Sequence, residues 1–131
     1  MLSRRCQAKA AKLRLDQLEA IAQLTVAVAN YRRAMRKRGQ ARLSKAGTDQ
    51  QERLRHESHG ARAALTQPMT VLRVLMPDAH IHAAAKEMVQ AAYNIRDASD
   101  SDALNAAQEV ARSSQDKFVE LAAQHVIDGR R

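Results

Sequence analysis

From Leu13 to Lys45 the apolar positions Leu18, Ile21, Leu24, Val28, Tyr31 and Met35 recur three and four residues apart. The pattern then passes into a basic run of Arg32, Arg33, Arg36, Lys37, Arg38, Arg42 and Lys45 with no acid inside it. This period predicts one long amphipathic helix, about 5–46, with one face wanting a core and one end wanting anions. It should start between Ser3 and Gln7 and stop at Gly47, with Lys45 in the last turn where the helix dipole favours a cation. Gly39 is its weak point, costing roughly 1 kcal/mol relative to alanine in a helix interior, and is expected to mark a bend.

Thr48-Asp49-Gln50-Gln51 has the spacing of a capping box, so a second helix should begin there. Its stripe of Leu54, Ala61, Leu65, Met69, Leu72 and Leu75 or Met76 stays in phase to about residue 76, with Pro68 inside it. Because the stripe resumes in phase, a kink between Ala64 and Pro68 is expected rather than two helices. Pro77 and Asp78 separate it from a third helix, about 79–98, carrying Ile81, Ala84, Met88, Ala91, Ala92 and Ile95. The polar turn Asp97 to Asp102 leads, with Ser99 or Ser101 as N-cap, into a fourth helix, about 102–128, carrying Leu104, Ala107, Ala111, Phe118, Leu121 and Ala122.

Short connections make consecutive helices antiparallel neighbours, so the predicted fold is all-α, one domain over 1–131, an up-down-up-down antiparallel four-helix bundle. The first helix, about 60 Å long at 1.5 Å per residue, outruns partners of about 30–40 Å. It should protrude as a basic arm, residues 1–12 near Arg130 and Arg131, and as a tip in which Gly39 to Arg55 projects as a hairpin. Residue counting places the turn Asp97 to Asp102 level with Arg36 to Arg38 and with His56 and His59.

Composition supports helix, with twenty-six alanines against one Phe, two Tyr, no Trp, four Gly and two Pro. Alanine lets helices approach closely but removes little area from water, which narrows the stability margin and favours self-association or a partner surface. The formal charge is +8, concentrated in residues 1–47, where twelve Lys and Arg face only Asp16 and Glu19. Such asymmetry points to nucleic acid, an anionic membrane surface or an acidic protein. Cys6 is the only cysteine, which excludes an intramolecular disulfide and fits a reducing, cytoplasmic location. No stretch holds eighteen consecutive apolar residues. The excess of Arg over Lys, with the alanine content, suggests a GC-rich bacterial genome.

Two anion surfaces follow. One is the tip, with Arg32, Arg33, Arg36, Lys37, Arg38, Arg42, Lys45, Arg53 and Arg55 as candidate phosphate contacts. Base stacking there is not expected, because Tyr31 is the only nearby aromatic. Pairing of Asp97, Asp100 and Asp102 with Arg36, Lys37 and Arg38 is the competing expectation, in which case the face is merely solvated. The other is the foot, with Arg4, Arg5, Lys9, Lys12 and Arg14 against anionic lipid. Glu52, His56 and His59 share a helical face, but His56-Glu57-Ser58-His59 has one residue where a zincin motif has two, and a solvated polar face is the commoner outcome. His80 and His82 diverge on a helix, His125 is expected half-buried, and Cys6 has no organised base. The Glu residues lack the Glu-x-x-His pairs of a carboxylate-bridged bundle, and no phosphate loop, dinucleotide fingerprint or nucleophile elbow is present. No metal, cofactor, catalytic residue or small-molecule substrate is identified.

The segments "RLDQLEAIAQLTVAVANYRRAM", "VLRVLMPDAHIHAAAKEMVQAAYNIRDA" and "SQDKFVELAAQHV" give most of the chain a pattern that resembles the cytosolic helical region of small uncharacterised bacterial proteins carrying an N-terminal membrane helix. The resemblance implies no catalytic residues, and the residues here include no such membrane helix. The expected function is a non-enzymatic helical-bundle interaction protein, cytoplasmic and peripheral at the inner membrane face, with a protein or second copy as partner. The runner-up is a sequence-nonspecific nucleic-acid-binding accessory protein using the basic hairpin.

Overall fold

Ser3 starts the longest helix, its hydroxyl accepting from the Cys6 amide at 3.2 Å, and α1 then runs unbroken over Arg4–Leu43. The computed structural model describes residues 3–129. Four further helices follow: α2 (Thr48–Ala63), α3 (Thr66–Leu75), α4 (Ala79–Asn94), which ends in a 3₁₀ turn (Ile95–Asp97), and α5 (Ser101–Asp128). No strand occurs among the described residues.

α1 is the spine, touching α2, α3, α4, the 3₁₀ turn and α5. Its buried stripe of Ile21, Leu24, Val28, Tyr31 and Met35 meets Leu65, Leu72 and Met76, then Ile81, Met88 and Ile95, and then Leu104, Phe118 and Val126. Each fully buried large side chain contributes about 1.5–3 kcal/mol. Lys37 reaches Glu57 at 3.2 Å, Arg38 reaches Ser58 at 3.2 Å and Gln17 reaches the Leu75 carbonyl at 3.0 Å, so α2 and α3 retrace α1 in reverse. α4 and α5 pack on each other and on the spine.

The expected kinked second helix is two helices. Proline has no N–H to donate and its ring crowds the carbonyl four residues back, at Ala64. There the helix ends in a turn, the Leu65 amide bonding the Arg62 carbonyl at 3.1 Å. Pro68 becomes the third residue of α3, where an N–H has no partner inside the helix anyway.

α1 ends three residues before the expected Ala46, and Lys45, not Gly47, takes the left-handed conformation at φ 56°. Ala46 N–H donates to the Ala41 carbonyl at 2.9 Å and Lys45 N–H to the Arg42 carbonyl at 3.2 Å. That is the Schellman pairing, and it closes the helix two residues ahead of the glycine. Gly47, with extended backbone, precedes α2 without a side-chain cap, and Gln51 instead donates to the Ala46 carbonyl at 2.7 Å. The expected Thr48 capping box is absent. Asp100, rather than Ser99 or Ser101, caps α5 by accepting from the Ala103 amide at 2.7 Å.

Gly39 marks no break in α1. It is buried against Leu104 and the Ile95 carbonyl, and this close approach seats the 3₁₀ turn level with Gly39 to Arg42, about a turn beyond the expected Arg36 to Arg38. The tip is therefore no free hairpin: Gly39 and Ala41 are buried, and Leu43 packs against the core. At the other end Ser3 to Lys9 are exposed throughout. Met1, Leu2, Arg130 and Arg131, expected in the basic foot, lie outside the described residues. No described helix is long and apolar enough to cross a membrane.

Candidate anion-binding site

The basic run winds around α1, so its members reach different neighbours. Arg32 donates to Gln115 on α5 at 2.7 Å and Arg33 to Asn30, while Arg36 is half-buried with its Nε unpartnered. Burial, with the Arg112 and Arg33 charges, lowers the Arg32 pKa, and Asp116 opposes that shift. Lys37 pairs with Glu57, and Lys45 and Arg53 are exposed. Foot residues Arg4, Arg5, Lys9 and Lys12 are exposed and Arg14 is half-buried; among them Lys12 pairs with Asp16 at 3.3 Å.

The remaining tip arginines converge. A cleft of about 150 Å³ is lined by Arg38, Ala41 and Arg42 of α1, Gln51, Leu54 and Arg55 of α2, and Arg96 and Asp97 of the 3₁₀ turn. Arg42 straps the turn to the spine, its Nη2 donating to the Arg96 carbonyl at 2.8 Å and to the Ala98 carbonyl. Arg38 donates to Ser58 Oγ at 3.2 Å, and this buried hydroxyl donates onward to the Arg55 carbonyl at 2.7 Å. Arg96 stacks on Tyr93, 4.1 Å from the ring centroid, and donates to its hydroxyl. Its buried Nε has no hydrogen-bond partner, the Asp97 carboxylate standing 3.6 Å away. Arg55 holds only a 3.5 Å contact to Glu52. Burial lowers the Arg38 pKa first, and the neighbouring Arg96 and Arg55 charges lower it further.

The expected pairing of Asp97, Asp100 and Asp102 with Arg36, Lys37 and Arg38 is not formed. Asp100 is engaged by its own helix N-terminus, Asp97 sits beside Arg96, and Lys37 and Arg38 turn to α2. Sequence reasoning missed Arg96; its signal was Tyr93 three residues earlier at a helix end, a spacing that lets a guanidinium fold back onto a ring.

Glu52, His56 and His59 are all exposed, and among the described residues no three His, Cys, Asp or Glu side chains are grouped to hold a metal. His80 is exposed, and His125 Nδ1 lies 3.9 Å from Asp78 Oδ2 with 45% of its side chain accessible. His82 is half-buried with Nε2 unpartnered, and burial, then Arg73 and Lys86, lowers its pKa. Cys6 is an exposed thiol. Tyr31, the one aromatic expected near the basic run, is buried and its pKa raised chiefly by that burial, so it offers no stacking face.

Against known families, residues 18–126 match the KilB plasmid transfer protein model, nearly the whole helical body from the first core turn of α1 to the last of α5. The chain belongs to this family. It is 39% identical over 106 residues to Protein KilB of Streptomyces lividans, the alignment covering 81% of this chain and 71% of that protein. No solved structure matches significantly. Within the KilB-family match lie both the arginine cleft and the apolar spine, whereas Arg4, Arg5, Lys9, Lys12 and Arg14 precede it.

Proposed function

We propose that this chain is a non-enzymatic accessory protein of plasmid transfer, acting through helix-mediated association with a protein partner or a second copy, its basic foot resting on the inner face of a membrane. The body follows an up-down-up-down antiparallel plan in which α2 and α3 share one arm. The 37–57, 38–58 and 17–75 contacts along α1, and the Asp78–His125 approach between the start of α4 and the end of α5, support that plan.

The observation that carries the reading is a second apolar stripe on α1. Leu15, Leu18, Ala22 and Val26 follow helical spacing on a face turned away from the core stripe, with Leu15 67%, Leu18 40% and Val26 61% exposed. A solvated helix face does not need three large apolar residues in register, whereas an associating one does. Beside that stripe Arg5, Lys9 and Lys12 form a basic line at i, i+4 and i+7, suited to anionic headgroups.

A mating assay tests this. Deleting the gene should depress plasmid transfer, and the chain with Leu15→Glu, Leu18→Glu and Val26→Glu should fold, by circular dichroism, yet fail to restore it. Full restoration by that variant, or unchanged transfer on deletion, would overturn the reading. The nucleic-acid alternative is favoured by one observation, the exposed Lys45, Arg53 and Arg55 around the α1–α2 connection. Duplex binding undetectable at about 50 mM salt, where electrostatic affinity is strong, would remove it.

A further inference from the structure

We infer that the cleft between α1, α2 and the 3₁₀ turn is a receptor for a single phosphate dianion, free phosphate or a phosphomonoester, clamped by Arg38, Arg55 and Arg96. The inference stands apart from both readings above, since it depends on neither plasmid transfer nor a protein partner.

Four guanidiniums and one carboxylate line the cleft, three net positive charges in the lining; Asp97 stands 3.6 Å from Arg96, and Glu52, outside the lining, 3.5 Å from Arg55. Arg42 is occupied by backbone carbonyls and acts as the fixed wall, holding the turn that presents Arg96. Arg38 is oriented by buried Ser58, Arg96 is laid flat on Tyr93, and Arg55 is exposed on the outer lip, held only by its 3.5 Å contact to Glu52. Planar guanidiniums whose orientation is already set lose little freedom on accepting a phosphate and can present forked donors to it. The Nε of Arg96, buried and without a hydrogen bond among the described residues, has the Asp97 carboxylate beside it at 3.6 Å, too far to satisfy it as a donor.

Size and charge choose the ligand. About 150 Å³, with Leu54 and Ala41 in its lining, is enough for a phosphate group and too little to enclose a base as well. Tyr93, the aromatic at its margin, is already covered by Arg96. Three net charges are matched better by a dianionic monoester than by the single charge of a diester, which points away from the interior of a nucleic-acid strand and from most lipid headgroups. Burial lowers the Arg38 pKa most, and the repulsion from Arg96 and Arg55 that adds to it is relieved when an anion enters.

Calorimetric titration of the full chain at low salt with inorganic phosphate, a nucleoside monophosphate, an unphosphorylated oligothymidylate and vesicles of phosphatidylglycerol tests this. Phosphate and the monophosphate should saturate one site, and the monophosphate's binding should weaken as pH falls through about 6, the second ionisation of a monoester. Arg55→Gln and Arg96→Gln should each weaken it about tenfold or more, while Arg5→Gln, an equal charge change at the foot, leaves it unchanged. Arg55 is exposed, so its variant keeps the fold and isolates the contact. No saturable phosphate binding would overturn the inference, as would an equal loss in Arg5→Gln, which would mean diffuse attraction. Tighter, Arg96-dependent binding of the oligothymidylate or the vesicles would also overturn it, assigning the cleft to a diester.

Discussion

Gly39 offers the sharpest test of how the tip is closed. A Cβ there would stand 2.8 Å from Leu104 Cδ1, 3.4 Å from the Ile95 carbonyl and 3.7 Å from Arg96 Cα. Leu104 is 4% exposed, so its methyl can yield only by turning toward the open cavity that it lines with Gln40, Leu43 and Leu54, and the Ile95 carbonyl is engaged by the Ala98 amide. Gly39→Ala therefore sets a helix-propensity gain of about 1 kcal/mol against an overpacking cost of about 1–3 kcal/mol. The net should be a loss of about 1 kcal/mol. Leu104→Val removes the obstructing methyl at its own cost of about 1 kcal/mol. In that background Gly39→Ala should turn stabilising by about 1 kcal/mol, because only the propensity term survives. The sign change implies a coupling of roughly 2 kcal/mol between the two positions. Urea unfolding of the four proteins, followed by circular dichroism, measures it. Additive effects, or a wild-type background stabilised by Gly39→Ala, would refute the close approach and restore the glycine as a simple weak point.

Two further outcomes follow from local geometry. Lys45→Gly should raise stability by about 1 kcal/mol, since a non-glycine residue in the left-handed region costs roughly 1–2 kcal/mol and glycine returns part of it as unfolded-state entropy; thermal melting would show a rise of a few degrees, and a fall would contradict the Schellman ending. Asp78 accepts from the Ile81 and His80 amides at 3.0 and 2.9 Å, and these bonds, the Ile81 one first, hold its pKa below the ordinary 3.8. A depressed carboxylate stabilises the fold above its unfolded value and loses that contribution as pH falls through its folded one. Acid unfolding should therefore be shallower below pH 3.8 in Asp78→Asn, which keeps a cap without the titration; superimposable acid transitions would exclude the effect.

The apolar stripes of α1, α4 and α5 were legible because burial and helical period coincide: Leu24, Met88 and Phe118 are buried where the spacing put them. Pro68 misled because phase reports which face is buried and is silent on continuity. Leu65 and Leu72 stay buried across a two-residue turn, so the stripe survives the break. The role of Gly39 was hidden because a glycine that weakens a helix and one that admits a neighbour look alike in sequence. The acids of the turn were placed within about a turn of the right level, but Asp100 found the α5 amides at its own position before any distant arginine. The cleft was illegible as a unit, since Arg38, Arg55 and Arg96 are brought together by helix packing across more than one element.

Hydrogen-bond satisfaction and charge neutralisation separate at the tip. Arg32, Arg33, Arg38 and Arg42 donate to Gln115, Asn30, Ser58 and backbone carbonyls, all uncharged, whereas Lys37 finds the acid Glu57. That exposed pair is worth at most about 1 kcal/mol. The arginines are thus held in place with their charge intact. At the foot the opposite holds: Arg4, Arg5 and Lys9 are exposed on the first turns of α1, so their rotamers are not fixed by burial. A localised anion gains most from cations whose rotamers are already fixed, because little side-chain entropy remains to be lost. A diffuse anionic surface gains nothing from such order and responds to the number of cations within a Debye length. The same excess of positive charge therefore divides by mechanism, a single compact ligand at the tip and an extended surface at the foot. Salt should separate the two, since binding in the partly buried cleft is screened less than attraction to the exposed foot.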